Sequence, residues 1–109
     1  MRLKQGDIIK LDFNPVKGNE QAGFRPAVVV SGNTFNRISS NVLVCPITNT
    51  DNGFPMHVPL GGCTSTTGFI MCDQVRTISP VARQVRYVED LPEEVLAVVL
   101  DIIKGIFED

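Results

Sequence analysis

The chain has 109 residues, 43% hydrophobic and 20% charged, which is one domain's worth of globular sequence and excludes a disordered or fibrous chain. Residues 1–7 hold no apolar run, and the most apolar stretch, residues 95–103, is broken by Asp101, so neither a secretory signal nor a membrane span is expected and the protein is placed in the cytoplasm. Net charge is −2, but residues 89–109 carry −6 (seven acids against Lys104) and residues 1–88 carry +4 (nine bases against five acids), so the body of the chain permits a phosphate-bearing partner without demanding one.

Residues 6–13 alternate, with Ile9, Leu11 and Phe13 on one face and Ile8, Lys10 and Asp12 on the other, as in a half-buried strand. Residues 14–24 contain a proline, two glycines and two asparagines and read as a loop longer than a hairpin needs. Long loops on small barrels are commonly functional. The β-branched run at 26–31 has the composition of a central strand, and 42–48 is another, with Pro46 marking a bulge or an edge. Prolines 55 and 59 make 54–60 an edge or irregular strand, and 68–75 and 85–88 complete the set. Short strands at this spacing favour a small β-barrel. From Pro92 the pattern turns helical: Glu93 and Glu94 suit a helix N-terminus, and apolar residues follow over more than half the circumference up to Phe107. Core packing and a dimer interface are both open for that helix. No internal repeat or domain boundary is found, so residues 1–109 read as a single domain.

Chemistry-bearing residues are few. Cys45, Cys63 and Cys72 include no C-x-x-C pair, and reduced, buried thiols are expected of them rather than a disulfide framework or a zinc site. His57 is the one histidine, which excludes a two-histidine acid/base ribonuclease within one chain; on an edge strand it is expected to face solvent. Phosphate loops, H-E-x-x-H and G-x-S-x-G motifs are missing from the sequence. With one histidine and acids scattered over separate elements outside the C-terminal segment, no metal or cofactor is expected. The suggestive cluster is residues 20–26, which bring a carboxylate, an amide and a guanidinium to the mouth of a buried strand. Arginine's rigid fork of donors matches phosphate, although an arginine in that place could equally form a capping salt bridge.

The blocks Gly6-Asp7-Ile8-Ile9 to Asp12-Phe13-Asn14-Pro15 and Gly18-Asn19-Glu20-Gln21-Ala22-Gly23-Phe24-Arg25-Pro26 through Ser31 resemble the N-terminal signature of the MazF/PemK toxins. Cys45-Pro46-Ile47-Thr48 is similar to that family's second catalytic strand, and Asp73-Gln74-Val75-Arg76-Thr77-Ile78 to a further conserved stretch. The resemblance implies a mainly β fold, an SH3-like barrel with a C-terminal helix. It implies a homodimeric, metal-independent endoribonuclease that cuts single-stranded RNA at short motifs, leaving 2′,3′-cyclic phosphate and 5′-hydroxyl ends. Growth and translation would be inhibited until a MazE/PemI-like antitoxin neutralises it, with DNA met only through the toxin–antitoxin complex.

By the same resemblance Arg25 and Thr48 are the catalytic pair, and Glu20 and Gln21 belong to the loop that closes on RNA. On chemical grounds Glu20 is also a candidate base, and Lys17 is a further candidate for RNA binding. Asp73, Gln74 and Arg76 would line the groove. Some plasmid-borne relatives carry an extra arginine two positions before the Asp73 equivalent; here that position is Met71, so Asp73 is assigned to binding rather than catalysis. Two alternatives are a non-enzymatic CcdB-like toxin, whose C-terminal tryptophan has no counterpart in this tryptophan-free sequence, and an SH3-like protein-binding module.

Overall fold

Apolar β-branched runs become strands wherever both faces can be buried, and the expected strands and C-terminal helix occur in order, joined by a short helix and a further short strand that the sequence pattern does not mark. The structure, a computed structural model, describes residues 2–13 and 24–108. In chain order these form β1 (Asp7–Asp12), β2 (Phe24–Val29), α1 (Asn33–Ile38), β3 (Val42–Thr48), β4 (His57–Pro59), β5 (Phe69–Met71), β6 (Arg76–Ile78), β7 (Arg86–Asp90) and α2 (Glu93–Ile106). All pairings are antiparallel, in the order β4-β5-β3-β2-β1-β7. The fold is mainly β with a C-terminal helix, as expected. The barrel is not closed: among the described residues β4 and β7 remain the two ends of the sheet.

β3 organises the molecule. One of its edges pairs with β2; the other is divided, with Val42–Val44 on β6 and Ile47 and Thr48 on β5. Pro46 falls in the gap between the two ladders, where its missing N–H breaks no bond. Strands that switch ladders in this way turn the corners of small β folds.

Two cores result, one on each face. Ile8, Val28, Cys45, Ile47, Val58, Ile70 and Cys72 form the first, which α2 covers with Val99, Val95, Leu96 and Ile103. Ile9, Leu11, Ala27, Val29, Val42, Val44, Ile78 and Val85 form the second, with Phe13 packed at its margin. β1 therefore departs from its expected half-buried state. Ile8 and Ile9 are both fully buried, because β1 is central to the sheet and each face has its own core. The expected strand at 68–75 is interrupted after Met71, whose carbonyl accepts a turn hydrogen bond from Gln74 N–H at 3.1 Å. Cys72 and Asp73 are the central residues of that turn, and Asp is a residue that turns favour. α1 is short, buries no residue, and so leaves no apolar periodicity in the sequence.

α2 divides its apolar surface. Val99 is fully buried, while Val98 is 49%, Ile106 42% and Phe107 82% exposed. Among the described residues no helix is long and apolar enough to cross a membrane. Of the cysteines, Cys45 and Cys72 are buried as expected and Cys63 is not. Burial, with the nearby Cys72 and Asp73, pushes the Cys45 thiol up to about 12; burial and Asp73 push Cys72 to about 11. Thiolates are the reactive form, so both are inert packing groups.

The segment between β4 and β5 is pinned by Glu89 of β7. Its carboxylate accepts from the Thr66 hydroxyl at 2.7 Å and the Thr66 N–H at 2.8 Å, and from the Ser65 hydroxyl at 2.9 Å and N–H at 3.1 Å. The Thr66 hydroxyl first, then these backbone and Ser65 donors, hold the carboxyl near 2, well below its ordinary 4.5. A depressed folded-state pKa stabilises the anchor above about 4.5 and loses that contribution as pH falls toward about 2. Hydrogen-exchange protection factors at Ser65 and Thr66, which correct for the intrinsic pH dependence of exchange, should therefore fall across that interval. In Glu89→Gln they should already be low at neutral pH, and a Glu89→Gln protein with wild-type protection there would refute the anchor.

Candidate active site

The register of β2 and β3 gathers the two residues of greatest chemical interest. Their paired residues run from Val29–Val44 to Ala27–Pro46. Arg25 lies two residues beyond Ala27, and Thr48 two beyond Pro46. Side chains two apart on a strand share a face, so both emerge on the side of Ala27, Val29 and Val44, at the rim of the second core. Arg25, opposite Leu11 of β1, is exposed. Among the described residues its guanidinium meets no carboxylate. Arg76 pairs with Val44 and so joins the same face, its guanidinium stacked 4.9 Å from the centroid of the Phe13 ring.

Thr48 is held from two sides. Its hydroxyl oxygen accepts the Thr50 N–H at 3.1 Å, leaving the hydroxyl proton available for a substrate oxygen. Gly68 backs onto its carbonyl: φ is +123°, and a Cβ there would stand 2.5 Å from Thr48 O and 3.1 Å from Asn49 Oδ1. Thr67, next to this glycine, donates from its hydroxyl to Asn49 Oδ1 at 3.0 Å. Only glycine fits this close approach in that backbone conformation. Gly68→Ala should destabilise the fold by roughly 2–4 kcal/mol through left-handed strain and a backbone clash. Chemical denaturation measures it, and a loss under about 0.5 kcal/mol, the scale of an ordinary surface substitution, would show that the segment yields freely.

Two arginines outside the family-like blocks complete a basic margin. Arg83 Nη1 donates to the carbonyls of Asp12 and Phe13, both at 3.2 Å, and the Arg86 guanidinium lies 4.7 Å from the centroid of the Phe24 ring. Phe13 and Phe24 border residues 14–23, so Arg76, Arg83 and Arg86 all engage residues that flank that segment. In the sequence Arg83 and Arg86 contribute to the +4 body but carry no motif, and no local signal marks them. Lys17, Glu20 and Gln21 lie outside the described residues.

Asp73 and Gln74 are exposed in the turn between β5 and β6. No contact joins Asp73 to Arg25; its partner is His57, whose Nε2 lies 3.4 Å from Asp73 Oδ1. His57 does not face solvent, since its side chain is only 7% exposed. The Phe54 ring meets it edge to face, with centroids 5.2 Å apart, and covers the strand edge that the sequence leaves bare. Among the described residues no three His, Cys, Asp or Glu side chains gather as an ion would require. The site as drawn offers a guanidinium, a hydroxyl donor and a basic margin on an open face, which suits a phosphodiester chain better than a small enclosed ligand.

Comparison with known proteins identifies the family. Residues 4–107 match the family model described as the PemK-like, MazF-like toxin of type II toxin–antitoxin systems. The endoribonuclease toxin MazF of Escherichia coli K12 is 44% identical over 78 residues, 72% of this chain and 69% of that protein. The endoribonuclease PemK of Escherichia coli is 35% identical over 103 residues, covering 90% of this chain and 77% of the relative. Among solved structures, MazF of Deinococcus radiodurans superposes with a TM-score of 0.86 at 28% identity, covering 100% of this chain and 99% of its own. The same organism's MazE–MazF complex gives 0.88 at 28% identity over 97% and 96%. With a family model spanning nearly its whole length, this chain belongs to the PemK-like, MazF-like toxins of type II toxin–antitoxin systems.

Proposed function

We propose that the protein is an endoribonuclease toxin, a single domain that cuts single-stranded RNA, mRNA foremost, at a short sequence motif and is silenced by a MazE/PemI-like antitoxin. The observation that carries this reading is the emergence of Arg25 and Thr48 at corresponding ends of neighbouring strands, on one face, with the Thr48 hydroxyl proton unspent. Arg25 neutralises the phosphate and the charge that builds on the phosphorane, and Thr48 donates to one of its oxygens. The nucleophile is the ribose 2′-hydroxyl, already adjacent to phosphorus, so no metal-bound hydroxide is called on. Arginine, with a pKa above about 12, is a poor base, and Glu20 is the candidate carboxylate for taking the 2′-hydroxyl proton.

A homodimer is part of the same proposal. It gives the exposed Val98 and Ile106 of α2, and Phe107 at its C-cap, a partner, and two rims joined into one groove would hold more of the RNA than a single open face. The antitoxin carries an acidic, apolar-rich segment that lies across the arginines at this rim, competing with RNA for the same charge. Both ligands should bind more weakly as salt rises. The test is to incubate the purified protein with a long RNA, with and without saturating antitoxin. Cleavage that the antitoxin abolishes, with RNA displaced, is the expected outcome. An intact RNA, or RNA affinity untouched by antitoxin, would contradict the reading.

A further inference from the structure

We propose that His57 is a positioning residue for Asp73 and thereby sets which base the protein accepts beside the cut, an inference that rests on the RNA-cleaving function proposed above. His57 sits on β4 with its side chain 7% exposed, Nε2 turned to Asp73 and its ring in a T-shaped contact with Phe54. Its Nδ1 is buried and has no hydrogen-bond partner among the described residues. A buried ring nitrogen without a partner is a cost that an apolar side chain in the same place would avoid. Among the described residues the charged group nearest the imidazole is Asp73, 3.4 Å from Nε2.

Pairing connects this contact to the catalytic face. His57 pairs with Met71, Pro59 with Phe69, and Phe69 in turn with Thr48. Directly paired residues in an antiparallel ladder point to the same side. His57 and Thr48 therefore lie on one face, opposite the core built from Ile47, Val58 and Ile70. Asp73 stands at the end of this row, its side chain 34% exposed, so the carboxylate is restrained by the imidazole and still open to a ligand.

A carboxylate only accepts hydrogen bonds. The base groups it selects are exocyclic amino donors, on cytosine, adenine or guanine, in preference to uracil, which has no amino group. Held by His57, Asp73 meets such a donor at one fixed position. Released, it samples several, and discrimination falls before the chemistry does.

The experiment sequences the 5′ ends of fragments cut from a long RNA by wild type, His57→Leu, His57→Gln, Asp73→Asn and the His57→Leu/Asp73→Asn double variant. Steady-state kinetics on one preferred RNA and one with the sensitive base exchanged accompany it. In His57→Leu the ratio of kcat/KM between those two RNAs should fall roughly tenfold, the scale of one charged hydrogen bond, with a far smaller change in kcat on the preferred RNA. His57→Gln, which keeps a donor, should recover much of the ratio. Asp73→Asn should relax the same position, and the double variant should be no worse than Asp73→Asn alone. An equal loss on both RNAs, or additive effects in the double variant, would overturn the proposal. Should His57→Leu fail to fold, an unchanged base preference in Asp73→Asn overturns it on its own. Wild type that cuts no RNA would instead overturn the function itself.

Discussion

Arg25→Ala should fold as wild type does and lose RNA cleavage by about 10²–10⁴-fold, the usual cost of deleting a charge-stabilising or proton-transferring group. Arg25 is exposed at the rim, so its truncation opens no cavity. The loss corresponds to about 3–5 kcal/mol of transition-state stabilisation, more than binding a ground-state phosphate alone would return. It should therefore appear mainly in kcat. Thr48→Ala should be less severe, because a neutral hydroxyl makes a weaker bond to a phosphate oxygen than a guanidinium does. Circular dichroism and single-turnover cleavage of one defined RNA check both. A folded Arg25→Ala protein cutting at near wild-type rate would remove Arg25 from the mechanism.

The second large effect is expected from the substrate. An RNA with a single 2′-deoxy sugar on the 5′ side of the cut should bind like the all-ribose strand and resist cleavage altogether. Phosphate contacts supply most of the affinity for such a chain, and Arg25, Arg76 and the basic margin meet phosphate rather than one ribose hydroxyl. Removing the nucleophile then leaves binding in place and chemistry without its attacking atom. Competition binding, followed by a cleavage assay on the same oligonucleotide, separates the two. Efficient cutting of the deoxy strand would show that water or another group attacks instead.

How much of this was legible in the sequence differs between elements, for physical reasons. β3 has its expected bounds, because the run from Val42 to Thr48 is β-branched and its one proline lies where the ladders change over. α2 begins within one residue of its signal, with Pro92 at the N-cap and Glu93 and Glu94 in the first turn. His57 misled because exposure was inferred from its strand being an edge, and the cover comes from Phe54, three residues away in an irregular segment. Gly68 carried no motif at all. Its importance lies in contact with a carbonyl twenty residues earlier in the chain, which only the folded β3–β5 pairing creates. The roles of Arg25 and Thr48 came from family resemblance. What the structure adds is their placement at matching ends of one face, which residue order alone does not contain.

The most direct test is chemical. Purified protein is incubated with a long RNA in excess EDTA, and the termini of the fragments are identified. Attack by the 2′-hydroxyl beside Arg25 and Thr48 predicts undiminished cutting, 2′,3′-cyclic phosphate on every upstream fragment and a free 5′-hydroxyl on every downstream one. Abolition of cleavage by EDTA, or fragments that begin with a 5′-phosphate, would contradict it.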